Sequence, residues 1–181
     1  VAIGRQAGAA NTTGTDNTFL GALAGNTSTA TLTNATAIGF NTQVTASNAL
    51  ILGNSSVSVG IRNTAPTAVL DLNGDIVFRS VTPATLAVNT NDYAGLNGFT
   101  YGRISASAAI DLTGFAAGVD GRILIVTNVS TSSITIVNQS AASVAANRIL
   151  TLGALVLQTD ESAIFVYDGT VARWRTIAFR T

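Results

Sequence analysis

The side chains able to do acid–base or nucleophilic chemistry in this 181-residue chain are few: eight Asp, Glu161, and no His, Lys or Cys. Cleaving a glycosidic bond takes two carboxylates placed on either side of it. The candidates are Asp71 and Asp75, which flank Asn73-Gly74; Asp120 and Asp168, each followed by Gly; and the pair Asp160-Glu161. All sit in turn contexts, where an Asp side chain caps nearby backbone N–H groups and needs no further role. Serine is plentiful, but without His or Lys its hydroxyl lacks the usual activating base. "DLNGD" (71–75) supplies too few oxygens for Ca²⁺ on its own, and no G-x-G-x-x-G phosphate loop exists. No enzyme, metal or cofactor is expected.

Binding chemistry has more to work with. Aromatic rings stack on sugar faces, and Tyr93, Tyr167 and Trp174 are the candidate ligand-binding residues. Trp174 alternates with Ala172, Thr176 and Ala178, the pattern of a ring facing a core or an interface, which turns Arg173 and Arg175 the other way. Tyr93 lies in an irregular stretch and is expected to be exposed. Asn-x-Ser/Thr sequons at Asn11, Asn34 and Asn128 are expected by chance in so Thr- and Asn-rich a chain.

The elements that must position these residues are strands. Apolar residues make up 47 % and charged ones only 10 %, with Thr, Val, Ile, Ser and Gly prominent and helix formers other than Ala and Leu scarce. Net charge is zero and the nine arginines are scattered, so the electrostatic footprint of a nucleic-acid binder is missing. The densest apolar run, "ILTLGALVLQ", is too short for a membrane helix and is broken by Gly153. The chain opens without Met inside a repeated phrase, and is expected to be a piece of something longer.

That phrase is an apolar-apolar-Gly step. Ala2-Ile3-Gly4, Phe19-Leu20-Gly21, Ala37-Ile38-Gly39 and Ile51-Leu52-Gly53 place their glycines 17, 18 and 14 residues apart. Short apolar strands at such a period, separated by Asn/Asp/Gly/Thr turns, predict a β-solenoid or β-roll in which each coil is one layer. Ile3, Leu20, Ile38 and Leu52 are then the shaft-core or subunit-contact residues, and Gly4, Gly21, Gly39 and Gly53 mark sharp bends or close backbone approach. Asn73-Gly74 between "AVL" and "IVF" predicts a hairpin at 65–81. Residues 82–98, with Pro83 and no clear period, read as a connector. From 99 to 181 eight short strands with turn signals, "FTYGRISA", "AAIDLTGF", "GRILIVTNV", "SSITIVNQ", "NRILTL", "ALVLQT", "ESAIFVYDG" and "VARWRTIAFR", predict an antiparallel sandwich or jelly roll. In "ESAIFVYDG" Ala163, Phe165 and Tyr167 share one face and Ile164 and Val166 the other; a strand apolar on both faces calls for cover on both.

"VAIGRQAGAANTT", "TAIGFNTQVTASNALILGN" and "SVSVGIRNTAPTAVLDLNGDIVFR" resemble the head repeats of trimeric autotransporter adhesins and, more closely, the stalks of phage tail fibres and bacterial fibre proteins. Residues 118–177, from "GVDGRILIVTNV" to "YDGTVARWR", resemble a C-terminal domain of such fibres. The irregular spacing and the lack of a basic neck favour the fibre branch. The resemblance implies an all-β homotrimer: a left-handed parallel β-roll shaft (1–64), the hairpin junction (65–81), the connector (82–98) and an antiparallel β-sandwich tip (99–181). It further implies an extracellular setting (virion tail fibre, injection-system fibre or bacterial surface) and attachment to a cell-surface receptor, a glycan. No membrane insertion is expected. The alternatives are a purely structural fibre and a Thr-rich ice- or surface-binding solenoid, for which "TSTATLT" (27–33) supplies T-x-T pairs that later coils do not keep in register.

Overall fold

The computed structural model describes residues 1–26 and 31–179, and residues 27–30 of the T-x-T stretch fall outside the described residues. The chain is essentially all-β, with one 3₁₀ turn among the described residues, at Ala145–Asn147, and divides into two compact units, Val1–Ile76 and Val77–Thr181.

The first unit contains β1 (Ala2–Ile3), β2 (Thr18–Leu20), β3 (Gly25–Asn26), β4 (Thr36–Ile38), β5 (Gln43–Val44), β6 (Leu50–Leu52), β7 (Val59–Ile61) and β8 (Leu70–Leu72). The apolar-apolar-Gly steps are the strands of one parallel sheet, β1-β2-β4-β6. The register follows the repeat: Ala2 opposes Phe19, Phe19 opposes Ala37, and Ala37 opposes Ile51. A second parallel pair, β3-β5, lies one turn further along each coil. Corners recur at the same period. Gln6, Leu23 and Asn41 take positive φ of 59°, 62° and 51°, and Asp16, Asn34 and Asn48 do so at 60°, 54° and 58°. Backbone bonds run from coil to coil through these corners, Leu23 N–H to Arg5 at 2.9 Å and Asn41 N–H to Ala22 at 2.9 Å. Buried Asn17 stitches them further: its Oδ1 accepts from Ala35 N–H at 2.9 Å and its Nδ2 donates to the Leu32 carbonyl at 2.7 Å.

The step glycine has a physical reason. Gly4, Gly21 and Gly39 all hold φ near +125° (130°, 130° and 123°), where a side chain is strained. A Cβ on Gly4 would lie 2.5 Å from the Gly21 carbonyl carbon, and one on Gly21 2.5 Å from the Gly39 oxygen. Glycine stacks on glycine because backbone fills the space above it. The interior is small: Phe19, Ala24, Leu32, Ala35, Ala37 and Val44. A Cβ on Gly8 would meet the Phe19 ring at 2.7 Å, so this one large ring is seated on a glycine.

The hairpin expected at 65–81 does not form. β8 pairs parallel with β7, Val59 opposite Leu70 and Ile61 opposite Leu72, so the strand before Asn73-Gly74 closes another coil. Residues 75–79 beyond it belong to no strand.

The second unit contains β9 (Ser80–Val81), β10 (Tyr101–Ile104), β11 (Ile110–Leu112), β12 (Ile123–Asn128), β13 (Ile134–Ile136), β14 (Ile149–Leu150), β15 (Leu155–Leu157), β16 (Ser162–Asp168) and β17 (Arg173–Phe179). All eight strands expected from residue 99 on are present, but their pairing is mixed. In the six-stranded sheet, ordered β14-β17-β16-β12-β10-β9, the pairs β9-β10, β10-β12 and β14-β17 are parallel while β12-β16 and β16-β17 are antiparallel. In the sheet β11-β13-β15 the first pair is parallel and the second antiparallel. A wholly antiparallel arrangement is thus overturned. The reason lies in 82–98: this stretch lies within the second unit, where Leu86, Thr90 and Tyr93 bridge in parallel to Ala106, Leu112 and Phe115. It is the first layer of a second parallel stack, its period hidden by polar spacers. One apolar core draws on both sheets, with Ile104, Leu124, Val126, Phe165 and Trp174 from the larger and Leu112, Ile134, Ile136 and Leu157 from the smaller.

Candidate functional site

Trp174, Tyr167 and Tyr93 are interior residues. Trp174 has no exposed surface, and its Nε1–H donates to the Phe115 carbonyl at 2.8 Å. Its ring meets Tyr167 and Phe115 edge-on, with centroids 5.3 and 5.8 Å apart, and Phe115 meets Phe165 at 5.1 Å. The Arg122 guanidinium lies 5.4 Å from the Trp174 ring, where the ring's quadrupole attracts it. Arg122 also donates to the carbonyls of Ala117, Leu96 and Phe99 at 2.7, 2.6 and 3.1 Å, and burial lowers its pKa. Tyr93, expected to be exposed, is 7 % exposed, and its burial raises the phenol pKa. The three rings form core contacts and leave no open face for a sugar to stack on, which corrects their assignment as ligand-binding residues. Its stretch has no local period, yet the parallel bridge to Phe115 draws Tyr93 inward.

Four of the candidate carboxylates, Asp71, Asp120, Glu161 and Asp168, accept backbone N–H groups in turns. Asp71 Oδ2 accepts from Thr67 N–H and the Thr67 hydroxyl at 2.8 and 3.0 Å, and these bonds, with Asn63, hold its pKa below the ordinary value. Asp120 Oδ1 accepts from Gly169 N–H at 2.7 Å, and Glu161 Oε2 from Gln158 N–H at 2.7 Å. Asp168 pairs with Arg175 at 2.6 Å, which lowers its pKa. Arg175 therefore meets a carboxylate of its own chain, and Arg173 donates to Gln139 Oε1 at 3.1 Å. Among the described residues no three of His, Cys, Asp or Glu gather as a metal site. The sequon residue Asn128 is fully buried, with Nδ2 donating to the carbonyls of Ser132 and Leu157 and Oδ1 accepting from Ser130.

A polar cluster also forms that no sequence motif marks. The Thr113 hydroxyl donates to Asn91 Oδ1 and bonds the buried Ser143 hydroxyl, both at 2.7 Å. Ser143 Oγ accepts from Asp92 N–H at 3.0 Å, while Asp92 Oδ1 accepts from Asn147 Nδ2 at 2.9 Å and Val144 N–H at 3.0 Å. These partners lie up to 55 residues apart, a distance no local motif spans. The cluster ties 91–92 to the 3₁₀ turn.

What the chain offers outward is apolar surface. In the first unit Ile3, Leu20, Ile38 and Leu52 oppose one another across β1-β2-β4-β6 and stand on the sheet face away from Phe19 and Ala37. Ile3, Leu20 and Leu52 are 58, 44 and 46 % exposed and Ile38 is half-buried. They form an outer row, so the coil interior is built from other residues. In the second unit the outer face of the larger sheet carries the row Tyr101–Ile125–Ile164 beside Ile123–Val166. A shallow depression of about 380 Å³ lies there, lined by Phe78, Tyr101, Ile125, Thr127 and Ser162. A wider groove of about 950 Å³ is lined by Leu150, Leu152, Leu155, Val156, Arg175 and Ile177, among others. Leu152 projects fully into solvent from a turn in which the Thr151 hydroxyl donates to the Gly153 carbonyl.

Comparison of the chain with protein-family models, with curated proteins and with solved structures returned no match.

Proposed function

We propose that this chain is a segment of a homotrimeric extracellular fibre, a left-handed β-roll shaft with a β-sandwich tip, that attaches to a cell-surface glycan. The observation that carries the self-associating part is the pair of register-aligned apolar rows, Ile3–Leu20–Ile38–Leu52 and Tyr101–Ile125–Ile164, each on the sheet face opposite the buried core residues, Phe19 and Ala37 in the first unit and Leu124, Val126 and Phe165 in the second. Contiguous apolar surface outside a finished core marks an interaction site. Small coils strengthen the case: interior residues such as Ala24, Ala35 and Ala37 bury little area at ~25 cal/mol per Å², against an ordering cost of ~1–2 kcal/mol per residue. Sister chains would also cover the edges of short parallel sheets. Threefold closure, the handedness of the coils, the extracellular setting and the glycan rest on the resemblance to tail-fibre and adhesin repeats. Three weak sites on one trimer would act together.

The ice-binding alternative is not favoured. Thr18 and Thr36 stack in register, but the next coil places Leu50 there, so a threonine array ends after two steps.

The test is binding without turnover. The whole chain, incubated with a panel of bacterial surface glycans, is expected to bind at least one saturably and to release no new reducing ends. Absence of binding across intact bacteria and the panel would leave a structural fibre only; steady release of reducing ends would overturn the reading.

A further inference from the structure

Four Asn/Asp-Gly steps occur in the chain, at Asn73-Gly74, Asn97-Gly98, Asp120-Gly121 and Asp168-Gly169, and the fold treats them differently. We propose that Asn73 is a site of spontaneous covalent modification, deamidation through a succinimide, and that the fold suppresses succinimide formation at the other three, by loss of ammonia from Asn97 and of water from Asp120 and Asp168. The reaction needs the glycine nitrogen to reach the preceding side-chain carbonyl carbon. Glycine permits the approach because it carries no Cβ. What decides the rate is how freely the backbone swings.

Asp120 and Asp168 are pinned. Asp120 Oδ1 accepts from Gly169 N–H at 2.7 Å, while Asp168 accepts from Thr170 N–H at 3.0 Å and from Arg175 at 2.6 Å. Asn97-Gly98 is clamped by its surroundings. Asn97 N–H bonds the Ala94 carbonyl at 3.0 Å, Phe99 N–H bonds Leu96 at 3.2 Å, and Arg122 holds the Leu96 and Phe99 carbonyls on either side. Asn73-Gly74 has none of this. Both residues are exposed, Asn73 is anchored only through its N–H to Ile61 at 3.0 Å, and residues 74–79 make no backbone hydrogen bond with any described residue.

The chemistry needs only water. Gly74 N bonds to Asn73 Cγ as the C–NH₂ bond breaks, and ammonia leaves with the proton from Gly74 N–H. Water then opens the imide at either carbonyl to give aspartate or isoaspartate. Each event adds one negative charge to a chain of zero formal charge, between Asp71 and Asp75. Asp71, held low by Thr67, gains an anionic neighbour that opposes that shift. The isoaspartate product also lengthens the backbone by one methylene directly after β8.

The experiment ages the intact chain in mildly alkaline buffer and cleaves after arginine. Asn73, Asn97 and the buried Asn128 then fall in separate peptides, 63–79, 80–103 and 123–148. Peptide 63–79 is expected to gain about one mass unit, with fragment ions placing the gain on Asn73, at least about threefold faster than 80–103. Peptide 123–148 should stay unchanged. In denaturant the first two rates should converge. Gly74→Ala, whose Cβ meets only Arg62 Nη1 at 3.7 Å, should fold normally and slow the change roughly tenfold. Equal rates in 63–79 and 80–103 in the folded chain, or an unmodified 63–79, would overturn the proposal.

Discussion

A methyl group at position 21 has nowhere to go. Gly21 combines φ of +130° with a virtual Cβ 2.5 Å from the Gly39 carbonyl oxygen, backbone that cannot move without shifting the next coil. Gly121 has φ of +75° and nothing within 4 Å. Gly21→Ala is therefore expected to lower unfolding free energy by more than about 3 kcal/mol, and Gly121→Ala by about 1 kcal/mol from backbone strain alone. Urea titration of both variants checks this; equal losses would mean the glycine stack does not hold the coils. Asp168 gives a pH test. Its folded pKa is depressed by Arg175, so its contribution is present above the unfolded value of about 3.9 and is lost as pH falls through the lower folded value. The urea midpoint of Asp168→Asn should thus lie below that of the unaltered chain at neutral pH, and the gap should close in strong acid. A gap independent of pH would show that the ion pair is not its source.

At the scale of the element, inner and outer positions of one strand should respond differently. Phe19→Ala empties the largest side chain of the first core and is expected to cost about 3–5 kcal/mol in folding. Leu20→Asp, one residue on and facing outward, should leave the coil's own hydrogen bonds intact and act on association. Circular dichroism read beside light scattering separates the two; loss of fold in Leu20→Asp at a concentration where Phe19→Ala stays folded would reverse the assignment of faces. Much of this was legible in the sequence. The Gly spacing of 17, 18 and 14 reappears as the register of β1, β2, β4 and β6, because a parallel stack repeats its local chemistry every coil. The eight later strands were legible too, from alternation and turn residues. Their pairing was not, since Asp120-Gly121 and Asp168-Gly169 look alike whether the next strand runs back beside its neighbour or crosses over. Asn73-Gly74 misled for the same reason: a turn dipeptide reports a change of direction, and the partner of β8 lay upstream at Val59–Ile61. The site residues were least legible. Alternation pointed Trp174 toward a core or an interface without choosing between them, and Tyr93 is buried by a bridge 22 residues away that no local pattern announces.

For the whole molecule, the decisive property is whether copies of the same chain cover the two outer apolar rows. Neither unit has a disulfide to support it, and both leave large aliphatic side chains outside their cores. Burying Ile38→Asp in a subunit contact would strand an unpaired carboxylate, so that variant should dissociate the assembly. The most direct measurement is the molar mass of the unaltered chain by sedimentation equilibrium, from micromolar concentration downward. One species at three times 18.3 kDa that persists on dilution is the predicted result. A folded, monodisperse monomer of 18.3 kDa with both rows exposed to water would contradict it.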